Sequence, residues 1–395
     1  MKLLSQHGFG DGEKSLTGIE NKYIDGIIYS PKDYSPKQVN NSIEKILNID
    51  AKASFYIDPQ FYISLYALND GIKLGKLTEW NCFKPYRRND LENPDILQNI
   101  IKGYLKYESK FPVSALISPN IYITRSFDSI EASIAKNFIR YTKEVYNAIN
   151  ISNKPPVFAS LVLSREALIN KEEFFSFVND LTSIENPPDG YYIIIGSRSL
   201  QSLSDIFDAD VIANWMFLNY ALRNNGFIII NGFADILSPL LGIAGANACS
   251  TGWWSNLRMF SLDKFMPKQE KGRLPVIKYL SAKLLNRITI PEKSAFSSFE
   301  KSVINDLYCD ALYDPEPKRA EEVLQCWETI SFLSNKFISQ DIKKSCLDFL
   351  EHVKQAKSTY QMLERRLITT DYKFNYEYLD SLELAIDTFI KIAEL

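Results

Sequence analysis

Several classes of protein are excluded by what this sequence of 395 residues lacks. It has no apolar run long enough to span a bilayer, and its first residues turn polar after two leucines, so we expect neither a membrane helix nor a secretory signal peptide. Its five cysteines form no CxxC pair and are odd in number, which argues against a disulfide framework. These absences predict a soluble protein of the reducing cytoplasm.

The sequence also has little net charge and lacks several common catalytic motifs. A formal net charge of −3 gives no overall positive field for nucleic acid, so such a partner would need a local basic patch. The sequence contains no HExxH, GxSxG or Walker motif and no cluster of metal-ligating residues. The glycines of the segment 8–12 follow a GxGxG spacing that differs from the dinucleotide pattern GxGxxG. We therefore expect no cofactor and no bound metal.

What the sequence does contain is a series of short β-branched or aromatic runs, each ending in a polar or turn-forming cluster. Several of them, such as the run from Tyr191, are continuously apolar, as a parallel sheet buried on both faces requires. The predicted strands are Leu3–His7, Gly26–Ser30, Ser54–Asp58, Val113–Ser118, Val157–Ser164, Tyr191–Gly196, Phe227–Asn231 and Asn247–Thr251.

Segments with helical periodicity lie between these runs and continue after them. Eight strands alternating with helices predict an α/β fold, a (β/α)8 TIM-type barrel over residues 1–265, followed by an all-helical C-terminal extension over 266–395. The barrel helices are predicted at Pro36–Leu47, Pro94–Tyr107, Ser129–Ile149, Lys171–Ser183, Asp208–Asn224 and Asp235–Gly245. The extension helices are predicted at Leu274–Arg287, Pro291–Leu312, Pro317–Phe337, Ile342–Arg366 and Tyr376–Glu394.

In a barrel of this kind the chemistry comes from the carboxyl ends of the strands, where the βα loops converge. Asp58 follows an apolar strand, so burial could raise its pKa and suit it to acid/base work, or it could cap the turn before Pro59. His7, one of two histidines, could move protons or be a structural residue. Gln60 and Asn231 are further candidate binding residues at strand ends.

Charged side chains at later strand ends could contact a ligand. Arg198 and Arg258 could hold a phosphate or carboxylate, and Arg165 and Glu166 lie side by side after the fifth strand. The structural alternative for Arg198 and Arg258 is a salt bridge across the mouth, whereas Arg165 and Glu166 could pair with each other or cap the next helix.

The segment from Gly245 to Asn256 combines small residues on the last strand with two tryptophans after it. The small residues leave space inside the barrel, and Trp253 or Trp254 could stack on a planar ligand, with Asn256 beside them. A role in the core is the alternative for either indole. Cys249 could be a nucleophile, although free cysteines are more often buried small residues.

Two of these segments together resemble the tRNA-guanine transglycosylase barrel. Ile57-Asp-Pro-Gln-Phe61 corresponds to the family's DSGGFQ segment, whose aspartate is a general acid/base, and this role would carry over to Asp58. The family's nucleophilic aspartate follows a GVDxFD stretch near the barrel's end, and Ser250 occupies that position here, so Cys249 or Ser250 would have to replace it. The family's clustered zinc ligands are missing. The resemblance is to zinc-less relatives in bacterial anti-phage or nucleic-acid modification gene clusters.

Three functions follow as hypotheses. The first is a transglycosylase-like transferase that acts on or binds a nucleobase or nucleoside, possibly within nucleic acid, with a tryptophan on the base and Arg258 or Arg165 on a phosphate. The second is a catalytically degenerate barrel that binds a protein partner through its C-terminal helices, with self-association left open. The third is a glycoside-processing hydrolase that uses Asp58 and Glu166 as paired carboxylates.

Overall fold

A barrel of eight parallel strands forms the first two thirds of the chain. The computed structural model describes residues 1–8, 10, 12–151, 154–199, 207–267, 275–311, 313, 316–367 and 375–395. The barrel strands are β1 (Lys2–His7), β2 (Gly26–Tyr29), β3 (Ser54–Ile57), β4 (Leu116–Ser118), β6 (Val157–Ser164), β7 (Gly190–Gly196), β8 (Ile228–Gly232) and β9 (Ala248–Thr251), and the short β5 (Tyr122–Ile123) adds to β6.

The strand order around the sheet runs β3-β2-β1-β9-β8-β7-β6-β4, with every pairing parallel. The two outer strands almost meet, because Ser114 just before β4 donates from its main-chain nitrogen to the carbonyl of Phe55 in β3 at 2.8 Å. Gly26 allows β2 to lie close to β3, since a Cβ there would lie 2.0 Å from the carbonyl oxygen of Ser54. The predicted (β/α)8 barrel is confirmed, and each predicted strand overlaps an observed one.

Helices cover the outside of the sheet and bury their apolar faces against it. The second helix begins at Pro36 because Ser35 and Gln38 form a capping box and proline suits the first helical position. The barrel helices are α1 (Glu13–Glu20), α2 (Pro36–Leu47), α3 (Pro94–Glu108), α4 (Ile130–Ala148), α5 (Arg165–Ile169), α6 (Lys171–Thr182), α7 (Ala209–Asn224), α8 (Ser238–Ile243) and α9 (Ser255–Arg258).

The C-terminal extension contains helices together with an antiparallel hairpin. The hairpin strands β10 (Lys278–Ser281) and β11 (Asn286–Thr289) occupy most of the segment Leu274–Arg287, so the helix predicted there is wrong. The helices of the extension are α10 (Ile290–Phe299), α11 (Tyr308–Ala311), α12 (Arg319–Phe337), α13 (Ile342–Arg366) and α14 (Tyr378–Ile392).

Tertiary contacts explain why the hairpin overrides the local helical propensity. Its outer edge is paired by side chains of α12, with Gln325 accepting from the main-chain nitrogen of Leu280 at 3.1 Å and Glu322 from that of Lys278 at 3.1 Å. The predicted helix Pro291–Leu312 is likewise interrupted, because its middle forms a 3-10 turn at Lys301–Val303.

The extension packs on the barrel through its own apolar faces. α14 lies against α7, α12 lies against α1 and α8, and α13 contacts both α14 and α8. The proposed boundary between residues 265 and 266 stays a prediction. Within the described parts of the chain, none of the helices is both long enough and apolar enough to cross a bilayer.

Candidate functional site

A deep cleft opens at the carboxyl ends of β8 and β9, between the loops that follow these strands and the hairpin and α14 of the extension. Its volume is about 1030 Å³, close to the upper limit of the range of about 300–1,000 Å³ for small-molecule sites. The cleft therefore lies where the ligands of such barrels bind, displaced toward one side of the mouth.

A buried ion pair at the floor of the cleft joins the barrel to the hairpin. Both guanidinium nitrogens of Arg287 donate to the carboxylate of Asp235 at 2.7 Å, and the hydroxyl of Thr251 donates to the same carboxylate at 2.5 Å. Burial alone would raise the pKa of Asp235, but the neighbouring Arg287 holds that pKa below its usual value. The pair therefore stays ionised, and it leaves Asp235 little capacity to act as a proton donor.

Trp254 and Arg258 lie on one wall of the cleft. Arg258 N donates to the Trp254 carbonyl at 3.1 Å, so a single helical turn connects the two residues. The guanidinium of Arg319 lies 5.5 Å from the centre of the Trp254 ring, a cation–π distance. This wall thus combines a flat aromatic ring with positive charge.

The guanidinium of Arg258 is incompletely hydrogen-bonded. Its Nη2 donates to the carbonyl of Trp253 at 3.1 Å, while its Nε is enclosed and has no hydrogen-bond partner. Burial lowers the pKa of Arg258, and the nearby positive charge of Arg287 lowers it further. A buried donor without a partner is costly, so this is a position where a ligand acceptor would gain affinity.

The centre of the barrel mouth is closed rather than open. Asp58 is fully buried, and the hydroxyl of Tyr62 donates to it at 2.9 Å. Tyr62 in turn accepts from the Nζ of Lys264 at 3.2 Å, and the rings of Tyr62, Phe233, Phe260 and Phe265 surround this ammonium at 5.0–5.6 Å. Burial raises the pKa of Asp58 and lowers the pKa of Lys264 to about 8.

Of the two interpretations of Asp58, the capping contact is observed. The main-chain nitrogen of Gln60 donates to Asp58 at 3.1 Å, and Gln60 itself bonds Ser30 and the main chain of Lys32. His7 is buried between Tyr34, at 2.8 Å from Nε2, and Ser15, at 3.1 Å from Nδ1. All three predicted residues hold loops together, and none is among the described residues that line the cleft.

The two candidate nucleophiles lie on opposite faces of β9, with Ser250 facing Gln6 and Cys249 facing Ser238 of α8. Ser250 donates to Gln6 at 2.8 Å and accepts from the main-chain nitrogen of Phe233 at 3.0 Å. Cys249 is fully buried, and burial raises the pKa of its thiol to about 12. Asn231, the neighbour of Cys249, accepts from the indole of Trp215 at 2.7 Å. Neither Ser250 nor Cys249 reaches the cleft, so neither is placed to attack a ligand bound there.

The remaining predicted residues divide between the core, ion pairs and α9. Trp253 is buried edge-on against His7, so the core alternative holds for this indole. Salt bridges engage the three charged candidates, with Arg165 bonding Asp208 at 3.0 Å and Arg198 bonding Glu166 at 2.6 Å. Asn256 lies in α9 beside the cleft without being one of its described lining residues.

The structure therefore brings Trp254 and Arg258 together in the cleft, and none of the other predicted site residues is among its described lining residues. Sequence reasoning missed Asp235 and Arg287. Asp235 lies three positions beyond the end of β8, and extending each strand-end search into its loop would have found it. Arg287 reaches the cleft from the hairpin, which a helical prediction could not place there.

No cluster suited to a metal ion is found among the described residues, as no three His, Cys, Asp or Glu side chains converge. All five cysteines are free thiols. The described lining of the cleft has four basic side chains and six carboxylates besides its aromatic rings, and two of the carboxylates, Asp235 and Glu322, are paired with arginines.

Comparison with known proteins leaves the chain without a family. No protein-family model matches it, and a search of curated proteins finds no match. Among solved structures it is similar to a glycosyl hydrolase of the GH3 family from Mycobacterium smegmatis, with a TM-score of 0.38 and 11% identity over 63% of this chain and 82% of that chain. The resemblance to the tRNA-guanine transglycosylases gains no support from these comparisons.

Proposed function

We propose that the cleft binds a small molecule with a planar heterocyclic ring, a nucleobase or nucleoside, either free or as part of a nucleic acid. The observation that carries this proposal is the position of Trp254 in the wall of a cleft of about 1030 Å³ at the ends of the barrel strands. Stacking on an aromatic ring recognises any base, because every base has a π-face. The indole is partly exposed, whereas its neighbour Trp253 is buried.

Binding, rather than group transfer, is the activity that the site residues support. A transglycosylase needs a nucleophile beside its base, and Cys249 and Ser250 are both buried and hydrogen-bonded away from the cleft. We therefore assign no transferase chemistry. A role in anti-phage defence stays a prediction, and the five free thiols favour a reducing compartment such as the cytoplasm.

The two alternative functions have less support. The apolar faces of α12, α13 and α14 are used for packing within the chain, which leaves less of the extension for a protein partner. A hydrolase that uses Asp58 and Glu166 would need both carboxyl groups beside the ligand. Asp58 is fully buried and Glu166 pairs with Arg198, and neither is a described lining residue of the cleft.

Isothermal titration of nucleobases, nucleosides and a short single-stranded RNA tests the proposal. We expect at least one of them to bind the wild-type chain, and Trp254→Leu to weaken that binding by about 5- to 150-fold, as loss of one stacking interaction of about 1–3 kcal/mol implies. Trp254→Phe should retain most of the affinity. Tyr308→Leu, which removes an exposed ring outside the cleft, is the matched control. Undiminished binding by Trp254→Leu, or no binding by any of these ligands, would refute the proposal.

A further inference from the structure

One end of the cleft carries a surplus of positive charge. Arg258, Lys278, Arg287 and Glu322 line both the cleft and a small chamber behind it, and Asp235 and Arg319 line the cleft beside them. We call this group of six residues the basic end. Its four positive and two negative side chains leave two positive charges uncompensated.

The two carboxylates of the basic end are already engaged. Asp235 receives both guanidinium nitrogens of Arg287. Glu322 pairs with Arg319 through one oxygen and accepts from the main-chain nitrogen of Lys278 through the other. Neither carboxylate forms an ion pair with Arg258 in the structure, so the surplus charge is concentrated on Arg258 and Lys278.

Arg258 also presents an unfulfilled hydrogen bond. Its Nε is enclosed and lacks an acceptor, although the residue lines both cavities. A guanidinium binds phosphate oxygens through two parallel N–H groups, and Arg258 has so far used one donor on the Trp253 carbonyl. An anion in the basic end would neutralise the surplus charge and could accept from the guanidinium of Arg258, which lines both cavities.

We propose that the basic end is a subsite for a phosphate group, to which the barrel contributes Arg258 and the hairpin contributes Lys278. This inference rests on the proposed function and extends it: the ligand is a nucleotide rather than a free base. Trp254 and Arg258 lie one helical turn apart, so one ligand can place its ring on the first and its phosphate on the second.

The carboxylates elsewhere in the cleft do not compete for this role. Asp208 is bound by Arg165 and caps α7, and Asp210 pairs with Lys171. Glu292 is held by the main chain and hydroxyl of Thr289. Glu377, an exposed residue, also lines the cleft, so the remainder of the cleft is acidic and a phosphate is favoured at the basic end.

The test compares a nucleoside with its 5′-monophosphate by isothermal titration. The wild-type chain should bind the monophosphate at least about tenfold more tightly, as one charge-assisted hydrogen bond implies, and added salt should reduce this advantage. Arg258→Gln and Lys278→Gln should each weaken binding of the monophosphate more than binding of the nucleoside, and so reduce the advantage. Arg140→Gln, an exposed arginine on α4, should behave as wild type. The phosphate subsite would be wrong if the wild-type chain bound the nucleoside and the monophosphate equally well. It would also be wrong if Arg258→Gln weakened the binding of both ligands by the same factor.

A second measurement separates this inference from the proposed function. Inorganic phosphate and a short oligonucleotide are added separately in a thermal-shift assay of the wild-type chain and of Arg258→Gln. Stabilisation of wild type alone by phosphate supports the subsite even if no base stacks on Trp254. Stabilisation by the oligonucleotide alone would indicate that the phosphate is recognised within a polymer. If phosphate and oligonucleotide shift neither protein, or shift both equally, the subsite is wrong.

Discussion

A buried carboxyl group at the end of α3 should make the stability of this protein fall as the pH rises. Glu108 is 5% exposed; one of its oxygens accepts from the main-chain nitrogen of Ile117 in β4 at 2.9 Å, and the other is enclosed without a partner. Burial raises the pKa of Glu108 well above its usual value, against the opposing effect of the Ile117 N–H. The folded protein therefore keeps a proton that the unfolded chain releases.

The sign of the effect follows from this difference in proton binding. Below the unfolded pKa of about 4.3 both states are protonated, and Glu108 causes no loss of stability. Above it the unfolded chain releases the proton while the folded protein retains it, so stability is lost at up to about 1.4 kcal/mol per pH unit until the folded pKa is reached. Between pH 5 and pH 7 the free energy of unfolding falls by at most about 2.5 kcal/mol, and this limit applies when Glu108 of the folded protein stays protonated over the whole range.

Glu108→Gln keeps the acceptor for Ile117 and removes the titration. The free energy of unfolding, measured with urea at pH 5, 6 and 7 by circular dichroism, should favour the variant over wild type by an amount that grows with pH. Glu92→Gln, an exposed carboxyl just before the same helix, is the control and should show no such growth. A difference between Glu108→Gln and wild type that stays constant across this range would refute the reasoning.

Three further outcomes are expected. Asp235→Leu and Arg287→Met should each cost about 3–5 kcal/mol of stability, and the double variant should cost less than their sum, as a double-mutant cycle in urea would show. Gly26→Ala should lower the melting temperature, because the new Cβ would lie 2.0 Å from a main-chain oxygen. Gly103→Ala in α3 should raise stability by about 1 kcal/mol, because nothing lies within 4 Å of a Cβ there and alanine favours a helix over glycine. Cys249 should resist iodoacetamide at pH 8 until the chain is unfolded, because burial raises its pKa to about 12.

The barrel could be predicted because its strands carry a strong local signal. β7 is apolar throughout and buried on both faces, so its sequence is compatible with few other environments. The first residues of helices could be predicted equally well where an N-cap residue is present, as at Ser35 before α2 and Asp341 before α13. These signals are local, and the rule that strand-then-helix units close into a barrel supplied the rest.

The hairpin and the cleft could not be predicted because they depend on distant partners. The segment that contains β10 is rich in helix-forming residues. It forms a strand because the side chains of Gln325 and Glu322 in α12 accept hydrogen bonds from its main chain. Trp254 and Arg258 both follow the last strand, yet nothing local distinguishes the partly exposed Trp254 from the buried Trp253. Arg287, the partner of Asp235, lies in the hairpin, where the sequence predicts a helix.

The loop after β9 decides which strand ends remain available to a ligand. It crosses the mouth to β7, where the main-chain nitrogen of Ser197 donates to the carbonyl of Phe260 at 2.9 Å, and it then inserts Lys264 above Asp58. The polar residues that end β1, β2 and β3 are consequently used to hold loops together, as the bonds of His7 and Gln60 show. Among the described residues, the cleft lies on the side of the mouth beside β8 and β9, and the hairpin forms its opposite wall. A ligand site in this protein is therefore shared between barrel and extension, so substitutions in the hairpin should affect binding as strongly as those at the strand ends.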